Sequence, residues 1–119
     1  MRRKPGVLLP IEVSILDAGL DLERRGVTGF HGYLLASEIA DREGARRLMA
    51  HGSLYRALAR LERAGLLESR WEDADIAVAA ERPRRRLYVV TLVGARAVAG
   101  ARAEAAPPVA SRQTRQAPT

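Results

Sequence analysis

The stretch "GSLYRALARLERAGLLESRW", residues 52–71, constrains the fold of this chain more than any other. Projected at about 100° per residue, Leu54, Ala57, Leu58 and Leu61 gather on one side of a helix, and Arg56, Ala59, Arg60 and Arg63 gather on the other. Gly65 offers a helix stop, and "LLESRW" then changes to a pattern that suits an extended strand. A chain with this segment must bury the leucine stripe and the start of a strand in one core while leaving a row of arginines wet. On an isolated amphipathic helix a basic outer face is by default merely solvated, so the meaning of these arginines depends on what surrounds them.

At 119 residues the chain supports one core rather than two. Its 20 Lys and Arg against 14 Asp and Glu give a formal charge of +6. A sequence pI near 10.9 favours a polyanionic partner such as nucleic acid. Lys4 is the sole lysine and alanine is abundant, a pattern that genome composition alone can produce, so the positions of the arginines carry more information than their identity. The absence of cysteine excludes disulfides, thiolate zinc sites and cysteine nucleophiles, and fits a reducing cytoplasm, which is the expected location. Pro10, Glu12 and Asp17 interrupt the apolar start well short of a signal core or a membrane span, so no membrane association is expected.

A first helix is expected from Val7 to Arg25, with Pro10 tolerated in its first turn and Gly26 closing it. It carries two apolar stripes. Leu8, Ile11, Ile15, Ala18 and Leu22 form one, and Leu9, Val13, Leu16 and Leu20 form another on nearly the opposite side. A large exposed apolar strip is unusual on a monomer, so the second stripe points to a partner subunit; the alternative is a central helix covered on both sides by its own chain.

"VTGFHGYLLASEIADREG" supplies a turn and a short helix over 33–43, with Leu35, Ala36 and Ile39 facing inward and His31 helping to start it. The connector "GARRLMAHG" tucks Leu48 and Met49 beneath the helices and offers Ser53 as a cap for the next helix, spanning 52–65. A β-hairpin wing over 68–92 follows, with a long tip and with Arg82, Arg84, Arg85 and Arg86 around Pro83. Thr91 is placed to cap a last, alanine-rich helix whose small residues permit close packing. The expected divisions are a basic tip at 1–6, one domain at 7–106 and a disordered tail at 107–119.

Trp71 and Tyr88 read as packing residues of the hairpin, and Tyr55 as a border residue able to pack its ring while its hydroxyl reaches a phosphate. His31 and His51 have no acidic or cysteine cluster at ligand spacing, so neither metal nor cofactor is expected. Glu68, Glu72, Asp73 and Asp75 read as a solvated hairpin rather than a carboxylate pair or a cation site. With no phosphate-cradling loop, nucleophile elbow or zinc helix motif, an enzyme is not expected.

The succession of "HGYLLASEI" at 31–39, "GSLYRALARLERAGLLES" at 52–69 and "RPRRRLYVVTLVG" at 82–94 resembles the PadR-like family of winged-helix transcriptional regulators. The resemblance covers roughly residues 8–106. It implies a mainly α fold with a β-hairpin wing, a winged helix-turn-helix whose N-terminal and C-terminal helices form a dimer interface, to which the second stripe of the first helix, Leu9, Val13, Leu16 and Leu20, is assigned. By the same resemblance Ser53, Tyr55, Arg56 and Arg60 stand where the recognition helix meets double-stranded DNA, and Arg84, Arg85 and Arg86 stand on the wing. In that setting Ser53 and Arg56 are candidates for base edges, and Arg60 and Arg63 for phosphates. The expected function is a homodimeric repressor on a palindromic operator, with a small-molecule effector left open. The competing reading is a winged-helix interaction module that binds protein or RNA without reading sequence.

Overall fold

In a computed structural model of the chain, residues 7–42 and 51–105 are described. They form α1 (Pro10–Arg24), α2 (Gly32–Arg42), α3 (His51–Arg63), β1 (Leu67–Trp71), α4 (Ala74–Ala79), β2 (Arg86–Val90) and α5 (Leu92–Ala105). The expected tip at 1–6, the tail at 107–119 and the connector residues Leu48 and Met49 lie outside the described residues.

The helix ends follow from local chemistry. Pro10 occupies the first turn of α1, where its missing N–H costs nothing, and Glu12 Oε1 accepts the Leu9 N–H at 2.9 Å. At the other end Val27 N–H donates to the Leu22 carbonyl and Gly26 N–H to that of Glu23, with Gly26 at φ 97°. The same Schellman pattern closes α3, where Leu66 N–H reaches the Leu61 carbonyl, Gly65 N–H reaches that of Glu62, and Gly65 sits at φ 80°. His31 Nδ1 accepts the Leu34 N–H at 3.2 Å and so starts α2, as expected. Ser53 lies inside the first turn of α3 rather than ahead of it, because the helix already includes His51 and Gly52. Thr91 does cap α5, its Oγ1 accepting the Gly94 N–H at 3.0 Å and donating to the Gly65 carbonyl at 2.7 Å.

Strands β1 and β2 pair antiparallel with Leu67 opposite Val90, Ser69 opposite Tyr88 and Trp71 opposite Arg86. Phe30 joins them as a one-residue third strand, exchanging both backbone hydrogen bonds with Tyr88 at 3.0 and 2.8 Å. The core lies between this sheet and the helices, built from Ile15, Ala18 and Leu22 of α1, Leu35 and Ile39 of α2, Leu54, Leu58 and Leu61 of α3, and Phe30, Leu67 and Val98. α1 runs through its centre and packs against α2, α3, α5 and β2. That arrangement revises the reading of its second stripe. Leu16 is fully buried in the chain's own core, and Val13 and Leu20 are half-buried against it, so the apolar residues on both sides of α1 are covered largely from within.

The hairpin tip also differs from expectation. It is not an irregular loop but carries α4, which starts after Asp73 and closes with Glu81 at φ 55°, its N–H donating to the Val78 carbonyl while that of Arg82 reaches Ala77. Six residues are too few to show a helical period. Ala77 is buried, while Ile76 and Val78 are exposed.

Candidate nucleic-acid interface

Two elements carry the arginines singled out above, and the arginines differ in how far the rest of the described chain engages them. On α3, Arg56 and Arg63 are exposed and make no ion pair among the described residues. Ser53, half-buried, and Tyr55, 49% exposed, lie on the same helix, with the phenol end of Tyr55 resting over Gly32 at the start of α2. Tyr55 therefore packs with its ring edge while presenting much of its surface outward, as its border position suggested. Arg60 goes the other way. Its Nε donates to Glu12 Oε2 at 3.0 Å, and the Glu12 carboxylate is 1% exposed on the first turn of α1. Arg60 is thus tied to α1 through its Nε, while its side chain stays 35% exposed.

On the wing a second buried carboxylate organises the arginines. Glu72, expected to be solvated, is 6% exposed and receives a two-pronged contact from Arg82, at 2.7 Å to Oε1 and 2.9 Å to Oε2. The Arg85 N–H also donates to Oε1, and Arg84 Nε donates to the Glu72 carbonyl at 2.8 Å. The guanidinium of Arg82 holds the Glu72 carboxyl down to about 2, against the opposing effect of burial. The sequence reading missed this pair because Glu72 sits in an acidic run, and only the excursion through α4 brings Arg82 back beside it. Arg84 remains exposed on the wing, and Arg85 is half-buried.

Arg86 is engaged within the wing while its side chain stays 38% exposed. Its guanidinium lies over the Trp71 ring, 4.9 Å from the centroid, and its Nε donates to Ser69 Oγ, which in turn donates to Glu62. Trp71 thus packs within the hairpin as expected, though it is 54% exposed. Tyr88 is a core residue stacked against Phe30 at 6.2 Å. His31 is pushed below the usual imidazole range by burial and then by the nearby Arg85 and Arg82, which keeps its Nδ1 available as the acceptor that starts α2. The described residues hold no cluster of three or more His, Cys, Asp or Glu able to bind a metal, and no helix long and apolar enough to cross a membrane.

A helix with an exposed basic face, set behind a shorter helix and followed by a two-stranded wing, is the arrangement of a winged helix-turn-helix. The pattern of the PadR-like family of transcriptional regulators matches residues 24–100. The chain belongs to the PadR-like family. The family's members are transcriptional regulators and not enzymes. Among solved structures, a transcriptional regulator from Clostridium thermocellum is similar with a TM-score of 0.65 at 18% identity, covering 92% of this chain and 90% of its own. A PadR family transcriptional regulator from Eggerthella lenta is similar with a TM-score of 0.54 at 26% identity, covering 73% and 69%. A search of curated proteins found no match.

Proposed function

We propose that this PadR-like protein is a homodimeric repressor that occupies a palindromic operator, with α3 entering the major groove and the wing lying along the adjacent backbone. The observation that carries the reading is the pair Arg56 and Arg63, exposed and without an ion pair among the described residues, on a helix whose opposite face is anchored in the core by Leu54, Leu58 and Leu61. A rigid basic face of this kind supplies charge for phosphates and, from the N-terminal half of the helix, side chains for base edges. Ser53, Tyr55 and Arg56 occupy that half, and Arg63 lies near the far end, suited to a phosphate. Arg84 and Arg85 are the wing residues assigned to approach DNA, while Arg60 and Arg86, each bonded to a neighbouring side chain, support the surface.

A second copy of the chain covers the outer side of α1, around Leu9, Val13 and Leu20, and the start of α5. Leu92 and Val93 there are 64% and 57% exposed, an apolar surface that association would remove from water. Two-fold symmetry would then present two α3 helices to half-sites about 10 base pairs apart or a multiple of that. The test is selection of bound fragments from genomic DNA with purified protein. Recovery of one inverted repeat, bound more tightly than scrambled duplex, is the expected result. Recovery of unrelated fragments bound with equal, salt-sensitive affinity would instead identify an interaction module without sequence readout.

A further inference from the structure

Glu12 is a buried carboxylate that joins the first turn of α1 to α3. Among its contacts, Oε1 takes the Leu9 N–H at 2.9 Å, tying the carboxylate to the start of α1, and Oε2 takes Arg60 Nε at 3.0 Å across 48 residues of sequence. Arg60 sits one helical turn from both Arg56 and Arg63, so whatever fixes Arg60 fixes the rotation and height of the DNA-facing row. Arg60 also lines a groove of about 330 Å³ together with Val7, Leu8, Val93 and Ala97, residues of α5 and of the segment leading into α1. The bond and the groove draw Arg60 toward α1 and α5, while its side chain stays 35% exposed.

We propose that Glu12 and Arg60 form a positioning pair for DNA reading, a clamp that sets the recognition helix against α1, and that Arg60 makes no phosphate contact. This rests on the DNA-binding reading given above. Removing a cation that contacts a buried carboxylate is costly, whereas loss of both charges together is tolerated far better, so the two side chains act together. Because α1 packs against α2, α3, α5 and β2, the clamp also makes the setting of α3 depend on the helix at the centre of the molecule.

The experiment is a binding titration of the full chain with selected operator and with scrambled duplex at two salt concentrations, using wild type, Glu12→Gln, Arg60→Met, and the double variant Glu12→Met/Arg60→Met, whose folding is checked by circular dichroism. A positioning pair requires that Glu12→Gln and Arg60→Met each lose about tenfold on operator, that the double variant lose no more than either, and that the salt slope stay at its wild-type value throughout. Should either single variant fail to fold, the double variant decides, since it removes the buried Glu12 charge together with its contact to Arg60. A salt slope lowered by about one unit in every variant lacking Arg60, with Glu12→Gln binding like wild type, would overturn the proposal and make Arg60 a phosphate contact. Operator binding that no variant changes would overturn it too. A wild type without preference for operator would refute the DNA reading itself, a result distinct from either of these.

Discussion

At Gly19 a methyl group would stand 2.7 Å from the Phe30 ring, so the middle of α1 can lie against the one-residue strand only without a side chain. Gly19→Ala is expected to destabilise the protein by about 1–3 kcal/mol in urea unfolding despite alanine's better helix propensity, because the ring and the sheet behind it must shift. A stabilised variant would show that the ring yields freely. The wing has its own residue-scale device in Glu72. Its folded pKa of about 2 lies below the ordinary value of 4.5, so its contribution to stability is complete above pH 4.5 and is lost as pH falls toward 2. Trp71, the sole tryptophan and the neighbour of Glu72 in the chain, reports on this region. Its fluorescence is expected to change over that acidic window in wild type, and Glu72→Gln is expected to show the acid-form signal already at neutral pH. A variant indistinguishable from wild type at pH 7 would mean that the Arg82 contact does not hold the wing.

At the scale of elements, the two long helices with glycine stops were legible because each carries its own punctuation: Pro10 and Gly26 around α1, and Gly65 after a leucine stripe in α3. What was illegible depended on distant partners. The helical wheel groups Arg60 with Arg56 and Arg63, and nothing within the segment reveals that a carboxylate 48 residues earlier claims it. The wheel of α1 likewise cannot distinguish a stripe awaiting a second subunit from one covered by α2, α3, α5 and β2, and Leu16 belongs to the latter. α4 escaped because six residues with Ile76 and Val78 exposed display no apolar face. The exposed remainder of the α3 row has separable roles. Arg63→Ala is expected to weaken operator and scrambled duplex alike and to lower the salt slope by about one unit, as loss of a phosphate contact does. An unchanged slope would place Arg63 outside the interface.

At the scale of the whole molecule, the described core closes around α1 without a second chain, yet Leu92 and Val93 remain uncovered at the start of α5. Light scattering at micromolar concentration is expected to give twice the chain mass of 13.0 kDa, and Leu92→Asp with Val93→Asp to return it to the single mass with the fold intact. A monomer in wild type would remove the basis for paired half-sites. The basic face of α3 is the central claim, and Arg56 is where charge and sequence reading can be told apart, since it is exposed and lies in the N-terminal half of the helix. The most direct measurement is a fluorescence-anisotropy titration of wild type and Arg56→Ala against operator and scrambled duplex. The expected result is a loss of about 1–3 kcal/mol on operator, confined to one position of each half-site, with a smaller loss on scrambled DNA. Equal losses on both duplexes, or no loss on either, would contradict the assignment of α3 as the element that reads the operator.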